Sequence, residues 1–223
     1  MYNELVAFND PKCGASEAIR TLRTNLSFTF TDDKIKCIMI TSSVPGEGKS
    51  FISANLAYAF SLDNKKVLLV DADLRRGRVN KIFNIDKNQG ITNMLLGDNK
   101  TIKKYIYKTE IDNLDVLPNG TVPPNPSELL NSKKFKDILE KLRSDYDLII
   151  LDCPPIGSVT DSLVLTSLAD EAVLVCKYKE TTMEILTETK RALDNANIKI
   201  AGVVINNFKP DKDKYYYYNS YTK

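Results

Sequence analysis

A chain of 223 residues can hold one sizeable domain or two small ones, and 43% hydrophobic with 27% charged residues is ordinary globular usage, which excludes wholesale disorder. Thirty-one basic against 29 acidic side chains leave a net charge of +2, so no global basic field argues for a nucleic-acid partner. Histidine is missing altogether, which excludes Ser-His-Asp and Cys-His catalysis and any metal centre that needs imidazole. The cysteines, Cys13, Cys37, Cys153 and Cys176, form no CxxC pair, so neither a zinc ribbon nor a redox dithiol is encoded. Three of these four lie in or beside apolar runs and are expected to be buried, reduced thiols. The opening MYNELVAFNDPK lacks the basic start and apolar stretch of a secretory leader, and no apolar run is long enough to span a bilayer. A soluble, cytoplasmic protein is expected.

Along the chain, short apolar runs alternate with longer stretches of helical period. Residues 16–28 form an amphipathic helix with Ile19, Leu22 and Leu26 on one face and Ser16 as the expected N-cap. Residues 35–41 are the first strand, aliphatic with little polar alternation, as a strand covered on both faces requires. Directly after it comes Ser42-Ser43-Val44-Pro45-Gly46-Glu47-Gly48-Lys49-Ser50, opening a helix over 49–62. Small residues let backbone N–H groups close on phosphate oxygens, and the helix N-terminus adds donors and a favourable dipole. The segment is a P-loop, GxxxxGK[ST], with its first glycine replaced by Ser43. Pro45, Gly46, Glu47, Gly48, Lys49, Ser50 and Phe51 are therefore candidate nucleotide-binding residues, with Lys49 on the β- and γ-phosphates and the Ser50 hydroxyl on Mg2+.

A strand over 66–70 runs into Asp71-Ala72-Asp73-Leu74-Arg75-Arg76. If the chain stays extended there, the two carboxylates point the same way, into the crevice at the sheet's C-terminal edge. Next come a strand over 114–117, a helix over 132–143 and a strand over 148–151 that ends in Asp152-Cys153-Pro154-Pro155. An apolar strand closed by an acid is a Walker B pattern, which makes Asp152 a candidate Mg2+ ligand. A helix over 161–168, a strand over 172–176, a helix over 182–196 and a strand over 200–205 complete the rhythm. Asn206-Asn207, beyond the last strand, is a candidate reader of an adenine edge. The alternation predicts one α/β domain over residues 1–210: a P-loop NTPase-like, mainly parallel sheet with helices on both faces and right-handed crossovers. Residues 211–223 have no aliphatic side chain and carry Tyr215, Tyr216, Tyr217, Tyr218 and Tyr221, which predicts a flexible tail.

The P-loop, the VDAD stretch and the LIILDCPP stretch together resemble the Walker A, Walker A′ and Walker B motifs of the bacterial tyrosine kinases of capsular and exopolysaccharide assembly. The resemblance runs from about Glu17 to the C-terminus. Residues 17–23 are similar to that family's ExxRxxR oligomerisation motif, residues 117–130 to its Gly/Pro-rich segment, and the terminal tyrosines to its autophosphorylation site. On spacing alone, Glu17, Arg20 and Arg23 read equally well as a solvated helix face with one local ion pair.

The resemblance implies an ATP- and Mg2+-dependent protein-tyrosine kinase acting on Tyr215, Tyr216, Tyr217, Tyr218 and Tyr221 of a neighbouring subunit. It implies a ring-like homo-oligomer joined through Glu17, Arg20 and Arg23, and control of polysaccharide synthesis and export. Lys49, Asp71, Asp73 and Asp152 are the implied catalytic residues, with Ser50, Asp73 and Asp152 around Mg2+ and Asp71 as the base; Asp71 and Asp73 could exchange roles. Implied partners are a separate membrane-embedded adaptor of the polysaccharide co-polymerase type, holding the kinase at the inner face of the membrane, and a cognate phosphotyrosine phosphatase. The competing resemblance is to the septum-positioning and partition ATPases, nucleotide switches without kinase activity. Their P-loop carries an extra lysine where this chain has Val44, and they do not call for a tyrosine-rich tail.

Overall fold

The computed structural model describes residues 2–30, 35–85, 89–97, 102–157 and 161–208. Seven strands form one sheet: β1 (Cys37–Ser42), β2 (Val67–Asp71), β3 (Tyr107–Lys108), β4 (Leu114–Leu117), β5 (Leu148–Asp152), β6 (Glu171–Lys177) and β7 (Lys199–Asn206). They lie in the order β3-β4-β2-β5-β1-β6-β7, and all pair in parallel except the short β3–β4 ladder. Parallel strands need crossovers, and helices supply them on both faces.

The alternation of side chains along each strand divides the interior into two cores. Ile38 and Ile40 of β1, Val67 and Leu69 of β2, and Leu148 and Ile150 of β5 pack on one side. There they meet α2 (Gly14–Thr29) and α3 (Lys49–Ser61) through Ile19, Leu26, Leu56 and Phe60. Cys37, Met39, Leu68, Val70, Ile149 and Leu151 pack on the other side. Their partners are Phe135, Ile138, Leu139 and Leu142 of α7 (Lys133–Asp145), Leu165 of α8 (Asp161–Thr166) and Leu193 of α9 (Met183–Asn195). Both faces of the central strands are therefore dry, which is why those strands read as continuous apolar runs.

Helix α3 is buried nearly all round because α1 (Val6–Asn9) and α2 cover its outer side. Asn55 in its middle donates to the Glu4 and Phe51 carbonyls at 2.9 Å each and accepts from the Ala7 N–H at 3.3 Å, tying the N-terminal segment down. The first long helix is capped differently from what its sequence suggests. Helix α2 begins two residues earlier than expected, with Cys13 at the cap position, and Ser16 is a buried residue inside it. The Ser16 hydroxyl donates to the Asp10 carbonyl at 2.6 Å and so closes the α1–α2 turn. Cys37, Cys153 and Cys176 are buried free thiols as expected, and Cys13 is half-buried.

Candidate active site

Asp71 and Asp152 are direct neighbours across the β2–β5 ladder, and Ile40 of β1 pairs with Asp152 on its other side. Counting by twos from Leu69 and Ile150 puts both acids on the face that carries α3. The P-loop runs from the end of β1 into that helix, so its Lys49 and Ser50 open directly above the two carboxylates. Sheet register and helix start thus converge on one point at the C-terminal edge of β2, β5 and β1, where folds of this kind bind ligands.

Gly46 and Gly48 take φ of 85° and 96°, the left-handed region that glycine adopts without steric cost. A side chain at Gly48 would begin 2.0 Å from Asn206 Nδ2, which donates to the Glu47 carbonyl at 2.9 Å. The Glu47 carboxylate turns inward, accepting from the Val44 N–H at 2.9 Å and from the Thr181 hydroxyl. The loop is thereby braced from inside by Glu47 and from the end of β7 by Asn206. Ser43, in place of the usual first glycine, is absent from the left-handed residues, so a side chain is tolerated there. Its carbonyl instead crowds Gly157, whose Cβ would lie 2.8 Å away.

Burial sets the electrostatics of the acids. Asp71 is fully buried, and burial followed by the charge of Asp152 pushes its carboxyl well above the usual carboxylate range. The Val79 N–H, donating to Asp71 Oδ2 at 3.1 Å, opposes this. Asp152 is raised to about 6, first by burial; the Ser50 hydroxyl, Lys49 and the Ser53 hydroxyl pull it down, while Asp73 pushes it up. Ser53 donates to Asp152 Oδ1 at 3.2 Å. Asp73 lies beyond the end of β2, so strand alternation does not position it. A turn does: the Arg75 and Arg76 N–H groups donate to Asp73 Oδ1 at 3.2 and 2.9 Å.

Asp71 Oδ1 and Asp152 Oδ2 are buried and have no hydrogen-bond partner. The orphaned Asp152 oxygen beside the Ser50 hydroxyl fits a hard cation that brings its own positive charge, and the orphaned Asp71 oxygen beside it is open to a proton. Among the described residues no three acids converge tightly enough to make an all-protein metal cage. Mg2+ keeps waters and substrate phosphates in its shell and takes only one or two carboxylates.

The structure brings Lys49, Ser50, Asp71, Asp73, Asp152 and Asn206 together, with Asn207 exposed beside them. Asn206 donates one amide N–H to the Glu47 carbonyl and accepts the Asn207 N–H on its oxygen, which leaves a second donor and a second lone pair on the side chain. On α2, Glu17 and Arg20 pair at 2.6 Å, whereas Arg23 donates to the Ala59 carbonyl of α3 at 3.3 Å and to Asp63, just beyond that helix, at 2.8 Å, and so binds α2 to its own α3. The five tail tyrosines lie outside the described residues. Sequence reasoning did not single out Thr181, Ser53 or Asp161; each acts through partners tens of residues distant, which spacing does not reveal.

The chain matches the family model described as an AAA domain over residues 35–201, from β1 into β7. Its class is therefore a P-loop nucleotide-binding α/β protein. It is 40% identical over 218 residues to the tyrosine-protein kinase YwqD of Bacillus subtilis, covering 98% of this chain and 92% of the relative. To the tyrosine-protein kinase Wzc of Salmonella typhimurium it is 36% identical over 204 residues, 92% of this chain but 28% of that longer one. Among solved structures the chimerical protein CapA2B2 superposes with a TM-score of 0.89 at 35% identity, covering 94% of this chain and 92% of that one. The septum site-determining protein MinD of Pyrococcus horikoshii, solved with Mg-ADP, gives 0.67 at 27% identity, with 79% and 72% covered. The chain belongs to the bacterial tyrosine kinases.

Proposed function

We propose that this chain uses ATP and Mg2+ to phosphorylate the C-terminal tyrosines of a neighbouring subunit, and that this controls synthesis and export of a capsular or extracellular polysaccharide. The observation that carries the reading is the convergence of Lys49, Ser50, Asp71 and Asp152 at the ends of three adjacent strands, with two carboxylate oxygens left unpaired. The loop amides and the start of α3 bind the phosphates, and Lys49 neutralises charge that develops on them. The tyrosine oxygen attacks the γ-phosphorus, the bond from that phosphorus to the bridging oxygen of ADP breaks, and the phenolic proton passes to Asp71. Burial beside Asp152 raises the affinity of the Asp71 carboxylate for that proton. Bound Mg2+ supplies charge neutralisation between the phosphates, and Ser50, Asp73 and Asp152 would hold it.

Assembly through α2 is supported by the solvent-facing Glu17–Arg20 pair and by Phe28 on the same stripe, 77% exposed. We assign the chain a ring-like homo-oligomer, a membrane-embedded adaptor that holds it at the inner face of the membrane, and a phosphatase that resets the tail. No helix among the described residues is long and apolar enough to cross a membrane itself.

Incubation with labelled ATP and Mg2+ tests the activity. The wild-type chain is expected to gain phosphotyrosine, and Lys49→Ala to lose it by about 10²- to 10³-fold, the usual effect of deleting one charge-stabilising donor. Equal labelling of a folded Lys49→Ala chain would overturn the site. ATP hydrolysis without any phosphotyrosine would favour the nucleotide-switch reading that the MinD likeness suggests.

A further inference from the structure

Asp161, the first residue of α8, is fully buried yet charged. Its Oδ2 accepts from Arg75 Nε at 2.7 Å, and its Oδ1 accepts from Arg75 Nη2 at 3.3 Å and from the Ser127 hydroxyl. Burial alone would raise this carboxyl; the Arg75 and Ser127 donors outweigh it and hold the group below the ordinary range. The pair is lopsided, since the Arg75 side chain is 45% exposed and that of Asp161 is 0%. An exposed ion pair contributes little, but stripping the partner from a buried charge is strongly destabilising to the local structure.

The geometry leads from Asp161 to the active site in one step. Arg75 stands two residues beyond Asp73, and the Arg75 and Arg76 amides are the groups that grip Asp73 Oδ1. The turn carrying Asp73 is therefore fixed at its backbone by the acid and at its side chain by Asp161. Ser127 belongs to α6 (Pro126–Asn131), which packs on α8, so the same carboxylate also seats the end of the proline-rich segment.

We propose that Asp161 is a positioning residue for phosphoryl transfer: by clamping Arg75 it holds the Asp73 carboxylate beside Asp71 and Asp152. The inference rests on the assignment of Asp73 to Mg2+ made above. Both Asp161 oxygens are taken by Arg75 and Ser127, so its loss is expected to act through the Asp73 turn on the metal-dependent part of binding. The loop amides and Lys49, which need no metal, are left intact.

A fluorescent ADP analogue, titrated with Mg2+ and read without any turnover, separates the possibilities. In Asp161→Asn the Mg2+ concentration that half-saturates the metal-dependent gain in nucleotide affinity is expected to rise about 10- to 100-fold, as for other residues that orient ligands from behind. Metal-free nucleotide affinity should be unchanged. Arg75→Ala should match it, and the double variant should be no worse than either single one, because all three break the same link. Arg75→Lys keeps the charge but not the two-pronged contact, and should fall between; it also serves if Asp161→Asn does not fold. A lowered melting temperature with an unchanged Mg2+ midpoint would reduce the pair to a structural brace and overturn the proposal. A wild-type chain that binds the analogue with no Mg2+ dependence would instead remove the metal assignment, and the clamp with it.

Discussion

Two buried acids side by side, Asp71 and Asp152, give the site a specific pH behaviour. In the unfolded chain Asp71 and Asp152 titrate near 4. In the folded chain burial raises Asp152 to about 6 and Asp71 well above its ordinary value. Between those limits the folded state binds more protons than the unfolded, so stability falls as pH rises through the window. Asp161 works in the opposite sense, but its carboxyl is lowered, so its contribution is lost only at more acid pH. Thermal denaturation of the metal-free protein should give a higher melting temperature at pH 5 than at pH 7. Asp71→Asn should flatten that difference, and Mg2+ at pH 7 should recover part of it. A wild-type melting temperature that rises from pH 5 to 7, with Asp71→Asn the same, would contradict the assignment of the buried acids.

Strand, loop and helix meet at Gly48, and the consequence can be measured. Its φ of 96° is costly for any L side chain by about 1–2 kcal/mol, and a methyl group there would displace Asn206 from the Glu47 carbonyl. Gly48→Ala should therefore weaken ADP binding at least about tenfold by isothermal titration, with the circular dichroism of the fold retained. Undiminished affinity would remove the loop from the binding site. The long elements were legible in the sequence because both-face burial makes the central strands continuous apolar runs, and α7 and α9 are long enough to show a period. Each main strand except β4 extends beyond its apolar run, since parallel ladders bind backbone to backbone whatever the side chain. Helices α1, α4 (Val79–Ile82), α5 (Ile91–Leu96) and α6 span at most two turns and were not legible, equally short α8 was read as two residues longer than it is, and two-residue β3 carries no pattern. The P-loop, Asp71 and Asp152 were legible as local motifs. The Arg75–Asp161 link, 86 residues apart in sequence, was not.

At the scale of the assembly, the proposed transfer needs a tail that reaches a neighbour's acids and then leaves. From Lys209 to Lys223 four lysines stand against two aspartates, a side-chain charge of +2. Each phosphotyrosine adds about −1.5 to −2, so full modification makes the segment strongly anionic beside Asp71, Asp73 and Asp152. Light scattering at low salt should then find larger assemblies for the unphosphorylated chain than for the phosphorylated one, with the gap narrowing as salt screens the repulsion. Identical masses at low salt would contradict electrostatic release. Replacing Arg20 by Ala should also reduce the unphosphorylated mass, because the exposed end of the Glu17–Arg20 pair is the part of α2 not already tied to α3.

The decisive step is the proposed transfer between subunits at the site built from Lys49, Asp71, Asp73 and Asp152. A Lys49→Ala chain with its tail intact, mixed with an active chain whose Tyr215, Tyr216, Tyr217, Tyr218 and Tyr221 are all replaced by Phe, isolates that step. After incubation with ATP and Mg2+, mass spectrometry of the two chains reads the outcome. Phosphotyrosine on the tail of the Lys49→Ala chain is the expected result. An unmodified tail on that chain, with the wild-type protein labelled in a parallel reaction, would contradict the account.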